Sequence, residues 1–178
     1  MQEVYLRLND QDGQNDNIFA QFSSRAELMA HLNSLSTYGR FLRFSRDFLS
    51  EMRINGQREP DTAVQYREET VEGQRYIVLT LKAAVEFMTK KDYTNNWDSE
   101  MNEEFAFWDF NQWKEALETA GFQIIENPNR PKAGSRVYVN PWIVENRWEG
   151  KVRVLEMENG RLQEMAHPVT NIVLVGEK

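Results

Sequence analysis

The sequence Asp109-Phe-Asn-Gln-Trp-Lys-Glu-Ala-Leu-Glu-Thr-Ala-Gly-Phe-Gln-Ile-Ile125 contains the start of a helix, its end and the strand that follows. Asp109 with Gln112 three positions later is a capping-box pattern and predicts the helix N-terminus. Gly121 occupies the position where a helix C-terminus favours a left-handed residue, and apolar residues resume directly after it. Helical spacing between these ends is shown by Trp113, Ala116, Leu117 and Ala120.

The residue pattern in the N-terminal part of the chain predicts a strand and two helices. Val4, Leu6 and Leu8 alternate with polar residues, as in a half-buried strand. Residues 24–27 form a capping box that opens a first helix, and a break is expected at 37–39. The second helix carries an almost purely aromatic face, which is more typical of a core than of a ligand site; its members are Phe41, Phe44, Phe48 and Met52.

Two hairpins and several shorter elements follow. One hairpin joins strands at 64–70 and 76–81 through Glu72-Gly73, and the other turns at Asn159-Gly160. The remaining expected elements are a helix at 82–91, a strand at 136–139, one or two helical turns at 141–148, and a final apolar strand at 169–175 that is expected to be central in a sheet. Together these elements predict an α+β fold, with a mixed, mostly antiparallel sheet packed by three or four helices.

Composition excludes several classes of function. The chain has no cysteine, which removes disulfides and thiolate chemistry and fits a reducing, cytoplasmic compartment. A net charge of −7 argues against a general nucleic-acid binder. No apolar run reaches the roughly 20 residues of a membrane span, so no membrane association is expected.

Metal and phosphate sites are not expected either. The two histidines, His31 and His167, are far apart in the sequence. The nine glycines are all isolated, so neither a P-loop nor a GxGxxG turn can be drawn.

An acidic, aromatic segment is the strongest compositional feature. Residues 98–126 hold eight acidic residues and one basic residue, whereas residues 127–178 carry a net charge of +2. Two interpretations remain open: an amphipathic segment with its rings in the core, or an aromatic-walled pocket with carboxylates at its mouth. The aromatic residues in this neighbourhood are Tyr93, Trp97, Phe105, Phe107, Trp108, Phe110 and Trp113.

The pocket interpretation nominates eight substrate-binding residues and a cationic or amine-bearing ligand, because tryptophan faces attract cations. The alternatives are core packing for the tryptophans, a solvated face for Glu100, Glu103 and Glu104, and an ordinary surface position for the arginine. The nominated residues are Tyr93, Trp97, Glu100, Trp108, Arg130, Trp142, Glu145 and Asn146.

Residues 107–126 resemble a stretch of class I S-adenosylmethionine-dependent methyltransferases. In that family a helix of the form W-x-x-x-L-x-x-A-G-F leads into the penultimate strand, and here the matching residues run from Trp113 to Phe122. The segment 170–178 is similar to the last, antiparallel strand of the same fold. The resemblance covers 93–178 and implies that 1–92 is a helical and hairpin cover region within one compact domain.

The family's glycine-rich cofactor turn is missing. The resemblance therefore implies the substrate-side part of such an enzyme, with no catalytic or cofactor residue to carry over. S-adenosylmethionine would bind only if a catalytic half were supplied, and the isolated chain is not expected to bind it or to be active. The alternatives are a non-catalytic binding module and an interaction domain that uses the aromatic residues to form a homodimer or to dock a separate catalytic chain.

Overall fold

The fold is α+β, as the sequence predicts. The computed structural model describes residues 2–11, 16–49, 64–90, 97–103, 108–126, 134–140 and 148–178. Every strand pair in these ranges is antiparallel. The chain divides into two compact units: Met1–Phe105 with Trp148–Ala166, and Ala106–Arg147 with His167–Lys178.

The described residues contain five helices, one more than the upper prediction, and nine short strands. In chain order these elements are β1 (Glu3–Leu8), α1 (Arg25–Ser34), α2 (Thr37–Asp47), β2 (Tyr66–Val71), β3 (Gln74–Thr80), α3 (Leu81–Thr89), α4 (Trp97–Asn102), α5 (Phe110–Thr119), β4 (Gln123–Ile124), β5 (Arg136–Tyr138), β6 (Val152–Glu158), β7 (Arg161–Glu164), β8 (Asn171–Val173) and β9 (Gly176–Glu177).

The first unit is built on a five-stranded antiparallel sheet of order β2-β3-β1-β6-β7. Both predicted hairpins are confirmed. Each turn has two successive residues with positive φ, at Glu72-Gly73 and at Asn159-Gly160, which matches the right-handed twist of paired strands. The N-terminal strand β1 lies in the middle of the sheet, and its residue Leu6 is paired with Ile77 on one side and Val154 on the other.

Aromatic side chains form the core of the first unit. Phe41 and Phe44 of α2 are fully or almost fully buried, and their ring centroids lie 5.3 and 5.6 Å from that of Phe87 on α3. Phe48 continues the stack 5.1 Å from Phe44. The prediction that the aromatic face of the second helix belongs to the core is confirmed for these residues, while Met52 lies outside the described ranges.

The boundary between α1 and α2 differs from the prediction. Instead of a break at 37–39, α2 begins at Thr37 with Ser36 as its N-cap. The Asp10 carboxylate accepts hydrogen bonds from the backbone N–H groups of Thr37 and Tyr38, at 2.6 and 3.0 Å. Gly39 sits inside the first turn because a β-carbon there would collide with the side chain of Asp16. The glycine therefore marks a close contact, not a helix end.

In the second unit, α5 starts and ends where the sequence predicts. The capping box between Asp109 and Gln112 is present in both directions. Gly121 has φ +89° and lies between the helix and β4. The chain therefore passes from helix to strand through a single left-handed residue.

The C-terminal segment of the second unit pairs with an interrupted strand. Gly176 and Glu177 lie opposite Ile124 and Gln123, whereas Asn171, Ile172 and Val173 lie opposite Tyr138, Val137 and Arg136. The two ladders meet at Ile125, whose backbone N–H donates to Val175 and whose carbonyl accepts from the N–H of Ser135 at 2.9 Å. The ladder thus passes from Ile125 directly to Ser135.

The expectation of a central final strand is wrong within the described residues. The sheets that contain β8 and β9 have two strands each, and residues 171–175 are half-buried. The apolar run at 169–175 reflects contacts within this small unit and not burial on both faces of a sheet.

Ser135 completes the ladder where the backbone pairing is interrupted. Its hydroxyl accepts from the backbone N–H of Val175 at 2.8 Å and donates to the carbonyl of the same residue at 3.1 Å. A side chain thus satisfies both backbone groups of one residue at the junction. Partly buried backbone groups left without such partners are costly.

Replacing Gly121 with valine should lower the melting temperature, because a β-branched residue is strained at φ +89° by roughly 1 kcal/mol or more. Apart from the two chain neighbours of Gly121, no atom of a described residue lies within 4 Å of the β-carbon position, so the loss would come from the backbone. Asparagine, which tolerates the left-handed region, should cost less at the same site. Unchanged melting of the valine variant would contradict this helix-to-strand geometry.

Ser135→Ala should destabilise the interrupted ladder by about 1–3 kcal/mol, because two hydrogen bonds are lost and the Val175 N–H loses its acceptor, while the Val175 carbonyl still accepts from the N–H of Ile125. Amide hydrogen exchange of Val175 measures this loss directly. Ser34→Ala is the matched control, since that hydroxyl donates to the His31 carbonyl on an exposed surface of the first unit. Equal protection of Val175 in the wild type and in Ser135→Ala would rule out the pinning role.

Candidate functional site

The nominated site residues that the structure describes fall in both units. Trp97 and Glu100 lie on α4 in the first unit, and Trp108 lies just before α5 in the second. The other nominated residues lie outside the described ranges: Tyr93, Arg130, Trp142, Glu145 and Asn146.

Trp97 is a core residue of the first unit. Its side chain is 3% exposed, and its indole N–H donates to the Asp47 carboxylate at 3.0 Å. The same carboxylate pairs with Arg43 at 2.6 Å and with Arg46 at 2.5 Å at the end of α2. For Trp97 the geometry favours the core-packing alternative, since its polar atom serves to join α4 to α2.

Glu100 is also buried, so the interpretation of a solvated acidic face fails for this residue. It is 8% exposed, whereas Glu103 is exposed. Nearby in the first unit, Glu86 and Lys90 form an ion pair at 3.2 Å with side chains that are 1% and 2% exposed. This pair was not predicted from the sequence, although an acid and a base four positions apart in a helix are a recognisable signal.

The second unit carries an open groove along α5. It encloses about 530 Å³ and is lined by Trp108, Gln112, Glu115, Ala116 and Thr119. Trp108 is 48% exposed. Its ring is held by Trp113, with the ring centroids 4.9 Å apart and the planes tilted by 60°. Trp108 is a nominated residue that lines this groove.

Glu115 provides the charge of this groove. Within the described part of the chain its carboxylate makes no hydrogen bond or ion pair. Lys114, the neighbouring base, is directed to Glu126 at 2.5 Å. The hydrogen bond and the charge of Glu126 raise the pKa of Lys114, so this base stays protonated and engaged away from the groove. The side-chain oxygen of Gln112 is committed to the N–H of Asp109 at 2.8 Å.

Trp108 was nominated from the sequence as a substrate-binding residue, whereas the four other residues that line the groove were not. Gln112, Glu115, Ala116 and Thr119 have the spacing of one helix face, which is the signal that could have found them. The sequence pattern instead assigned Gln112 to the N-terminal cap and Ala116 to the apolar stripe of the helix.

The described ranges contain neither a metal-binding group of side chains nor a membrane-spanning helix. There, no three histidine or acidic side chains are grouped to hold a metal ion. No helix among the described residues has the length and apolar character needed to cross a membrane.

Comparison with known proteins adds no relative. No family model matches the chain, and neither a curated protein nor a solved structure is significantly similar to it.

Trp97→Ala and Trp108→Ala should differ sharply in denaturant unfolding. Loss of the buried ring should cost about 3–5 kcal/mol, because a cavity opens and Asp47 loses a donor. Loss of the half-exposed ring should leave the protein folded, with a change of about 1 kcal/mol or less. Large and equal destabilisation by both substitutions would remove the case for an open groove at Trp108.

Proposed function

We propose that the chain is the substrate-side region of a class I methyltransferase-like enzyme, whose cofactor-binding half is supplied separately. The observation that carries this proposal is the order of elements in the second unit: α5, the left-handed Gly121, β4 and an antiparallel partner strand β9. This order agrees with the order of the helix, the penultimate strand and the final strand in the family that the sequence resembles.

In this proposal the α5 groove is a surface for a small-molecule substrate. Trp108 offers a large apolar contact at low entropic cost, while Glu115 adds a polar group that can orient a ligand. The chain would shape the substrate side of the site. Methyl transfer would need S-adenosylmethionine bound by the other half, in a reducing cytoplasmic setting that suits a sequence without cysteine.

An interaction domain is the second candidate function. Several large apolar side chains of the second unit are exposed, which favours contact with another chain; they are Trp108, Phe122, Val137, Tyr138 and Val169. The partner would be a second copy of the chain or a separate catalytic subunit. Sedimentation velocity over a range of concentrations distinguishes a homodimer from a monomer.

The isolated chain should not bind S-adenosylmethionine, because the sequence offers no glycine-rich turn to hold the ribose and the carboxylate. Isothermal titration calorimetry should show only the heat of dilution. S-adenosylhomocysteine serves as a parallel ligand. Micromolar binding of either compound would contradict a cofactor half supplied elsewhere.

The substrate role of the groove is tested by nuclear magnetic resonance with a library of small fragments. Binding fragments should shift the indole N–H of Trp108 and the backbone amides of Gln112, Glu115 and Thr119. The amides of β3 in the first unit provide an internal control. Fragments that bind only elsewhere, or not at all, would count against a substrate surface on α5.

A further inference from the structure

We infer that the α5 groove selects ligands that carry an alkylammonium group. This inference rests on the proposed function of the groove and names the chemical class of its ligand. Trp108 and Glu115 line the same groove, and the recognition elements they supply are an indole ring and a carboxylate.

The indole of Trp108 is placed as a cation-binding surface. It is half-exposed, so a ligand can reach it, and the contact with Trp113 at 4.9 Å holds its orientation. Trp113 does not line the groove and acts as its support. A tryptophan face attracts ammonium groups through its quadrupole, and it also gains apolar contact with methyl groups on the nitrogen.

Charge in the groove has one sign. The carboxylate of Glu115 is not neutralised by any described residue, and the adjacent base Lys114 is paired with Glu126 at 2.5 Å. The surrounding segment 98–126 carries eight acids and one base. An anionic ligand would therefore meet repulsion, whereas a cation would gain an ion pair with Glu115.

The remaining lining residues suit the same ligand. Ala116 is small and apolar, and leaves room beside the helix for methyl groups on a nitrogen. Thr119 has its hydroxyl donating to the Glu115 carbonyl at 2.8 Å, so this proton is not available to a ligand. An aromatic face, one carboxylate and small apolar surfaces are the components of an ammonium site.

Choline chloride and its neutral isostere 3,3-dimethylbutan-1-ol provide the test, since the two have the same shape and differ in charge. Each is titrated into the full chain at constant ionic strength while the indole N–H of Trp108 is followed by nuclear magnetic resonance. Choline should give a saturable shift at millimolar concentration. The neutral compound should bind about three- to fivefold more weakly or not at all.

Two substitutions on α5, each of which removes one negative charge, test whether Glu115 supplies the carboxylate that binds the ligand. Glu115→Gln should weaken choline binding about three- to fivefold. Glu118→Gln should leave it nearly unchanged, because Glu118 does not line the groove. Trp108→Leu should weaken choline binding and reduce the preference for choline over the neutral isostere, as read from the amides of Glu115 and Thr119. The dispersion of the same spectra confirms that each variant is folded.

Each outcome decides the inference. Equal binding of choline and the neutral isostere would overturn ammonium selectivity but leave a small-molecule groove in place. Equal weakening by Glu115→Gln and Glu118→Gln would show an effect of overall charge and overturn the role of Glu115. No saturable shift with choline would also overturn the inference, while the fragment experiment judges the proposed function separately.

Discussion

The buried ammonium of Lys90 is the constraint on which the helical layer of the first unit depends. Its side chain is 2% exposed; Nζ lies 3.2 Å from the carboxylate of Glu86, donates to the backbone carbonyl of Glu103, and sits 5.0 Å from the ring centroid of Phe48. These partners come from the end of α2, from α3 and from the end of α4. Because a buried charge without partners costs several kcal/mol, the three helices must hold their positions together.

The two units are stabilised by different kinds of interaction. In the first unit, a five-stranded sheet is accompanied by a core of aromatic side chains that contact one another. In the described ranges of the second unit, the buried large apolar residue is Ile124. Short two-stranded ladders are marginal alone, so the second unit relies on single contacts such as the Ser135 hydroxyl and the capping box of α5. A unit with little buried surface leaves its aromatic side chains accessible, which is what a ligand or a partner requires.

Local patterns predicted the fold because each element is signalled by residues close in sequence. The alternation in β1, the hairpin turns at Asn159-Gly160 and Glu72-Gly73, and the Gly121 step all follow from short-range chemistry. The failures are long-range. Gly39 is explained by Asp16, which is distant in sequence, and the final strand is explained by a partner that is itself interrupted. For the site, composition nominated Trp97, Glu100 and Trp108 together, whereas the first two are buried and the third is half-exposed, and composition alone carries no information on burial.

At the junction between Ile125 and Ser135, the register of the ladder does not depend on the number of residues that connect the two positions. Its two sides are fixed to each other and to Val175, so the intervening sequence can be lengthened without shifting the register on either side. The entropic cost of closing a longer connection rises only logarithmically, by about 0.6 kcal/mol for each doubling. A change in the number of residues between 126 and 134 should therefore leave the helix and the strands on either side in the same register.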